Sequence, residues 1–258
     1  MKNLLIRFII FCSIFCYSQE KFDGIVRYKQ TNNLDVKINL YFDLYFNNKM
    51  SLFIEQNVLK TGTKLVKESI EDGYINKVYG ERKNLKPMFY LNQRDNFIFM
   101  ENQYDECLYV RDNNIVLSWK IFNDTKKIGS FICRKATTFF RGRNYIAWYA
   151  PEIPVRWGPH KFSGLNGLVL EIYDENNIYS FVAEKVVFGS DKNEINIFLP
   201  TLPKQILSQA EFKIKKLKLT KAFFALLSSQ QPKGSEPIVL DEDCEDCNSQ
   251  SMEIEPKK

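Results

Sequence analysis

The chain has 258 residues, a formal net charge of +5 and a single histidine; 45% of its residues are hydrophobic and 14% aromatic. One histidine excludes a histidine-rich metal site, and the apolar share supplies a core for one large all-β domain or two small ones. Charge is unevenly spread: Gly234 to Lys258 holds eight acids against two lysines, and with Lys2 and Arg7 set aside the residues between carry +9.

At the N-terminus, Lys2 and Arg7 accompany a mostly apolar stretch from Phe8 to Phe15, and Cys16-Tyr17-Ser18 stands before Gln19. A basic head, a short apolar middle and a small residue at the cut predict a cleavable export signal over residues 1–18. The run is far shorter than the ~20 residues a spanning helix needs, and no later stretch is apolar enough to cross a membrane. Phe11 and Phe15 precede Cys12 and Cys16 where lipidation wants a small residue, so a soluble or peripherally attached product is expected. Export also argues against nucleic acid as the partner of the basic body.

Strand signals dominate the body. Phe22–Gln30 mixes β-branched and aromatic residues with polar ones before Thr31-Asn32-Asn33, and Lys37–Phe46 and Met50–Gln56 flank an Asn47-Asn48 hairpin turn. Further strands are expected at Thr63–Glu71, Tyr74–Gly80, Phe97–Glu101, Cys107–Arg111 and Ile115–Ile121. Later ones fall at Ile132–Phe140, Tyr145–Tyr149, Leu168–Asp174, Ile178–Phe188 and Asn193–Phe198. Asp112-Asn113-Asn114 and Asp174-Glu175-Asn176-Asn177 have turn composition between neighbours. Short, closely spaced strands predict an antiparallel sheet forming a half-barrel, open barrel or sandwich.

Near the C-terminus, Ser208-Gln209-Ala210-Glu211 fits a capping box, and Phe212, Leu219, Phe223, Leu226 and Leu227 fall on one helical stripe. This predicts a basic amphipathic helix over Gln209–Ser228, docked on the sheet or lying on a membrane surface. Residues 229–258 are rich in Gln, Pro, Gly, Ser and acids and predict a disordered acidic tail. Within it, Cys244 and Cys247 are too few for a zinc site, which wants four ligands. Cys107 and Cys133 form a possible disulfide in an exported chain.

The stretch from Ala147 to Ile172 differs from the rest: Pro151, Pro154 and Pro159 fix φ, while Gly158, Gly164 and Gly167 permit turns other residues resist. A rigid, irregular crossing between strands is expected, with Trp148, Trp157 and Phe162 massive enough to form a plug or lid. Here Gly164-Leu165-Asn166-Gly167-Leu168-Val169 resembles the Gly-Leu-Pro-Gly-Leu-Ile signature of the GLPGLI family of exported proteins from Bacteroidetes-type bacteria. Ala147-Trp148-Tyr149, Ile153-Pro154, Gly158-Pro159 and Lys161-Phe162-Ser163 look like the rest of that signature. Trp119, Lys127-Ile128-Gly129, Cys133-Arg134-Lys135-Ala136 and Gly142-Arg143 also match, as does the early Leu44-Tyr45-Phe46 to Ser51-Leu52-Phe53 hairpin. Asn166 departs from the motif proline, and the acidic tail lies outside the pattern. The resemblance implies a Gram-negative cell-envelope location, periplasmic or outer-membrane associated, without an established activity or catalytic residues.

Catalysis is poorly supplied. A Ser/His/Asp arrangement would have to use His160, with Glu152 and Ser163 nearby in sequence, and no phosphate-cradling loop or cofactor motif is present. An anion site is better supported, because Arg141, Arg143, Arg156, His160 and Lys161 cluster along the chain beside Trp148 and Trp157, and Arg presents a fork suited to carboxylate or phosphate. The expected function is therefore non-enzymatic binding or carriage of an amphiphilic or anionic ligand, or docking of an outer-membrane partner. The alternatives are a hydrolase built around His160 and a structural accessory subunit of an outer-membrane complex.

Overall fold

The computed structural model of the chain describes residues 19–33, 37–56, 86–93, 96–113, 115–190, 193–231 and Met252. The expected signal segment, the strands expected at Thr63–Glu71 and Tyr74–Gly80, and Cys244 and Cys247 lie outside these residues. Fourteen strands and one helix are present among them: β1 (Gln19–Phe22), β2 (Gly24–Asn33), β3 (Lys37–Phe46), β4 (Ser51–Glu55), β5 (Phe89–Gln93), β6 (Asn96–Gln103) and β7 (Glu106–Arg111) come first. After them come β8 (Lys120–Ile128), β9 (Phe131–Phe140), β10 (Arg143–Ala150), β11 (Leu168–Asp174), β12 (Tyr179–Phe188), β13 (Ile195–Phe198), β14 (Leu207–Ser208) and α1 (Gln209–Ser229).

The protein is mainly β and its main sheet is open. Twelve strands run in the order β14-β7-β6-β5-β4-β3-β2-β12-β11-β10-β9-β8, and β1 with β13 makes a separate ribbon. All pairings are antiparallel except the two-residue β14 against β7. The sheet curls strongly. The Lys161 ammonium lies 4.4 Å from the ring centroid of Phe99 on β6, and the ring of Phe162, one residue on, lies 5.9 Å from that of Phe140 on β9. On a flat sheet those two strands, eight places apart in the order, would be roughly 38 Å apart at ~4.8 Å per strand. Adjacent residues reach both only because the sheet wraps around them, as half-barrel curvature requires.

Period-2 alternation supplies both faces of this sheet. Phe53, Tyr90, Phe97 and Phe99 point into the concave side, while Leu52, Phe89, Leu91 and Met100 from the same strands form a second cluster on the convex side. The β1/β13 ribbon caps that convex cluster, with Phe22, Ile195 and Ile197 packed into it.

Three expectations for the chain are corrected. The strand expected at Ile115–Ile121 begins only at Lys120, and the segment between β7 and β8 carries the chain from one end of the sheet, where the two-residue β14 alone lies outside β7, to the opposite edge at β8. Ile115, Leu117 and Trp119 pack against the concave core on the way, so apolar residues that resemble a strand serve to cover the sheet. Asp112, expected in a hairpin turn, is instead 1% exposed. The expected Cys107–Cys133 disulfide is absent. The two cysteines stand on β7 and β9, near opposite ends of the strand order. Burial, followed by the charges of Glu152 and Glu171, pushes the Cys133 thiol up to about 11.

The expected helix is present as Gln209–Ser229, and its capping box forms: the Glu211 amide donates to Ser208 Oγ at 3.3 Å and the Ser208 amide to Glu211 Oε2 at 2.8 Å. Phe212 packs edge-on against Phe99 and Phe223 stacks on Tyr104, docking α1 on the β6–β7 end of the sheet, whereas Leu226, expected on the same stripe, is 54% exposed.

Candidate functional site

Residues 151–167, between β10 and β11, enter the concave side and fill it. Trp157 and Phe162 are 2% and 1% exposed. The Trp157 indole N–H donates to the Asn47 carbonyl at 2.7 Å, which ties the loop to the β3–β4 turn, and the Trp119 indole donates to the Ser163 carbonyl at 2.8 Å. The Tyr28 hydroxyl on β2 donates to the Val169 carbonyl. Two of the motif glycines have specific causes. Gly164 has φ +101°, a left-handed conformation that disfavours side chains, and a Cβ on Gly167 would lie 2.5 Å from the Ala150 carbonyl oxygen.

The charged residues singled out from sequence do not gather at one rim. Lys161 is 2% exposed and its ammonium lies 3.1 Å from Asp112 Oδ2. Arg141 donates to both oxygens of the same carboxylate at 2.8 and 2.7 Å, and the Gln209 side-chain amide donates to Oδ2 at 2.7 Å. Burial alone would raise the Asp112 carboxyl, but Lys161 and Arg141 outweigh it and hold the group below the ordinary carboxylate value. Arg143 is buried elsewhere, 3.1 Å from Asp174 and 5.2 Å from the Tyr179 ring centroid. Trp148 lies on the outer face of β10 with the Lys126 ammonium 5.6 Å from its ring, and Lys126 pairs with Glu171 at 2.6 Å. These are structural clasps, and sequence reasoning missed their acceptors because Asp112 and Asp174 have turn composition.

His160, at φ +54°, sits among rings, 4.4 Å from the Tyr90 centroid and 6.2 Å from that of Phe181. Of its expected hydrolytic companions, Glu152 accepts from the Ile132 amide at 3.0 Å, and Ser163 is held through its backbone carbonyl, which accepts from Trp119. Among the described residues no group of three or more His, Cys, Asp and Glu side chains is placed to hold a metal ion.

Arg156 is the exception to this neutralisation. It is exposed and lines a groove of about 270 Å³ with Asn48, Pro154, Val155, Trp157, Leu165 and Asn166. The buried side of the loop is thus the plug of the fold, and its outer side is a half-open, largely apolar groove with one guanidinium at the mouth. A second depression, of about 350 Å³, lies near the start of β8. Lys120 and Lys135 in its wall stand 5.2 and 5.5 Å from the Phe122 ring.

A family described as "Protein of unknown function (Porph_ging)" matches residues 140–171, which comprise the end of β9, β10, the plug loop and most of β11. No curated protein matches the chain. Among solved structures, PNGF-II in a C2 crystal form has a TM-score of 0.49 at 15% identity, over 78% of this chain and 33% of that one. PNGF-II in a P21 form has a TM-score of 0.48 at 15% identity, over 77% and 34%. The chain therefore spans about a third of the length of the PNGF-II chains. An uncharacterized conserved protein from Thermus thermophilus has a TM-score of 0.35 at 8% identity, over 71% of this chain and 88% of that one.

Proposed function

We propose that this protein is an exported cell-envelope binding module that docks an acidic segment of an outer-membrane partner on the outside of its plug loop. The observation that carries this reading is how the concave side is used. A half-barrel that carried a lipid would keep that side open, whereas here Trp157, Phe162 and Leu165 occupy it. The same loop leaves Arg156 exposed beside apolar Pro154, Val155 and Leu165, a pattern suited to a partner carboxylate flanked by apolar side chains. Export rests on the N-terminal pattern, and a cut after Ser18 would leave all of β1, which begins at Gln19, in the mature chain.

The test is affinity capture from gently solubilised envelopes with the native chain and with Arg156→Glu, followed by mass spectrometry of proteins and extracted lipids. An outer-membrane protein retained by the native chain and lost with Arg156→Glu is the expected result. Stoichiometric lipid released on unfolding, with the same proteins retained by both chains, would restore the carrier reading. Sequencing the N-terminus of the secreted product is expected to begin at Gln19.

A further inference from the structure

Helix α1 has more apolar surface than its docking uses. The face at Phe212, Lys216, Leu219 and Phe223, spaced i, i+4, i+7 and i+11, meets the body: Phe212 packs on Phe99, Leu219 on the concave cluster and Phe223 on Tyr104. On the opposite side Ile214, Leu217, Lys221 and Phe224 follow at i, i+3, i+7 and i+10. Ile214 is 71% exposed and Leu217 43%. The helix carries five lysines and a single acid, Glu211, and the capping box engages that acid. Lys213 and Lys218 flank the outward stripe, one on each side of it on the helical wheel.

An outward face of Ile214, Leu217 and Phe224, with Lys221 among them and Lys213 and Lys218 at its borders, suits a helix that lies in a lipid interface, with its apolar side chains among the acyl chains and its ammonium groups reaching the headgroups. At 21 residues, it offers about 32 Å of length for such contact. A fluid anionic surface asks only for the charge and the exposed apolar side chains that this face presents. We propose that the outward face of α1 seats the protein on anionic phospholipid, a role separate from partner docking at the plug loop.

Purified chain beginning at Gln19 is mixed with vesicles of phosphatidylglycerol and phosphatidylcholine in equal parts, or of phosphatidylcholine alone, and the bound fraction is measured by sedimentation. The native chain is expected to partition onto the anionic vesicles at low salt at least about tenfold better than onto neutral ones, and to lose most of that preference at high salt. Ile214→Glu with Leu217→Glu is expected to lower anionic-vesicle binding about tenfold at an unchanged melting temperature, because neither side chain packs on the body. Lys213→Gln, Lys218→Gln and Lys221→Gln together should abolish the preference for anionic over neutral vesicles. Equal binding to both vesicle types by the native chain overturns the proposal, as does native-level binding by the folded glutamate variant. Envelope capture with Arg156→Glu reads partner docking separately, so either result can fail alone.

Discussion

Asp112 concentrates more of the fold in one side chain than any residue the sequence singled out. It receives Lys161 from the plug loop, Arg141 from the β9–β10 turn and Gln209 from the first turn of α1, so one carboxylate joins three segments far apart in sequence. A buried pair is not strong merely because it is buried, but removing one partner strands the other. Asp112→Ala should therefore cost about 3–5 kcal/mol in urea denaturation, because it removes the buried carboxylate that Lys161 and Arg141 share. The acid limb follows from the direction of the carboxyl shift. The folded carboxyl lies below its unfolded value, so its contribution is complete above the ordinary carboxylate range and is lost as pH falls through the lowered folded value. Denaturation midpoints from pH 6 downward should fall less steeply for Asp112→Asn than for the native chain below about pH 4; parallel curves would show that Asp112 is not a principal acid-sensitive group. Trp157→Ala should cost about 3–5 kcal/mol by cavity formation, together with the indole hydrogen bond to Asn47. Cys107 and Cys133 form no disulfide, and burial pushes the Cys133 thiol up, so Cys133→Ser should leave the melting temperature equally sensitive to a thiol reductant.

At the scale of elements, local signals governed what was legible in the sequence. The α1 capping box depends on residues three apart, and both of its hydrogen bonds form; Ser208→Ala is expected to cost about 1 kcal/mol, read from the urea midpoint. β11 occupies the expected Leu168–Asp174 span, because its apolar run is bounded by glycine and an Asp-Glu-Asn-Asn turn. Reading failed where an element is defined by distant neighbours. β5 was not anticipated, since Phe89–Gln93 is short and its identity comes from lying between β4 and β6. The 112–119 crossing resembled a turn followed by a strand because its apolar residues alternate, yet they pack on a core built by residues far away in sequence. The candidate site followed the same division. The prolines, glycines, Trp157 and Phe162 announced a plug or lid, and the plug is there, while Trp148 stands outside it on β10. The arginines and lysines looked like a ligand rim because their carboxylate partners, Asp112 and Asp174, lie 29 and 31 positions from Arg141 and Arg143. Charge along a chain does not show which charges are already neutralised in space, and Arg156 could be separated from the others only once those pairs were placed.

For the whole molecule, the unequal charge distribution becomes a physical coupling. The segment from Gly234 to Lys258 is net −6 and follows within a few residues of Ser229, where the lysine-rich helix ends. Its one described residue, Met252, packs against the concave cluster, and the Tyr145 hydroxyl donates to its carbonyl at 2.9 Å. Among the described residues, Met252 thus ties this segment to the body, which makes its acids a tethered competitor for the lysines of α1. Among the described residues, deleting Gly234–Lys258 removes the Tyr145–Met252 hydrogen bond and a partly buried methionine, a loss of about 1 kcal/mol. The melting temperature should accordingly fall by only about 2–4 °C for a chain of this size. Binding to anionic vesicles should change far more. Without the acids, the lysines of α1 meet the membrane with no tethered competitor, so binding at low salt should strengthen several-fold, and the gain should vanish at high salt, where exposed pairs are screened. Met252→Ala in the full chain separates the two effects, since it weakens the anchor while the acids remain: its vesicle binding should stay near the native level. Should the truncated and full chains bind alike at low salt, the acidic segment exerts no control over the basic helix.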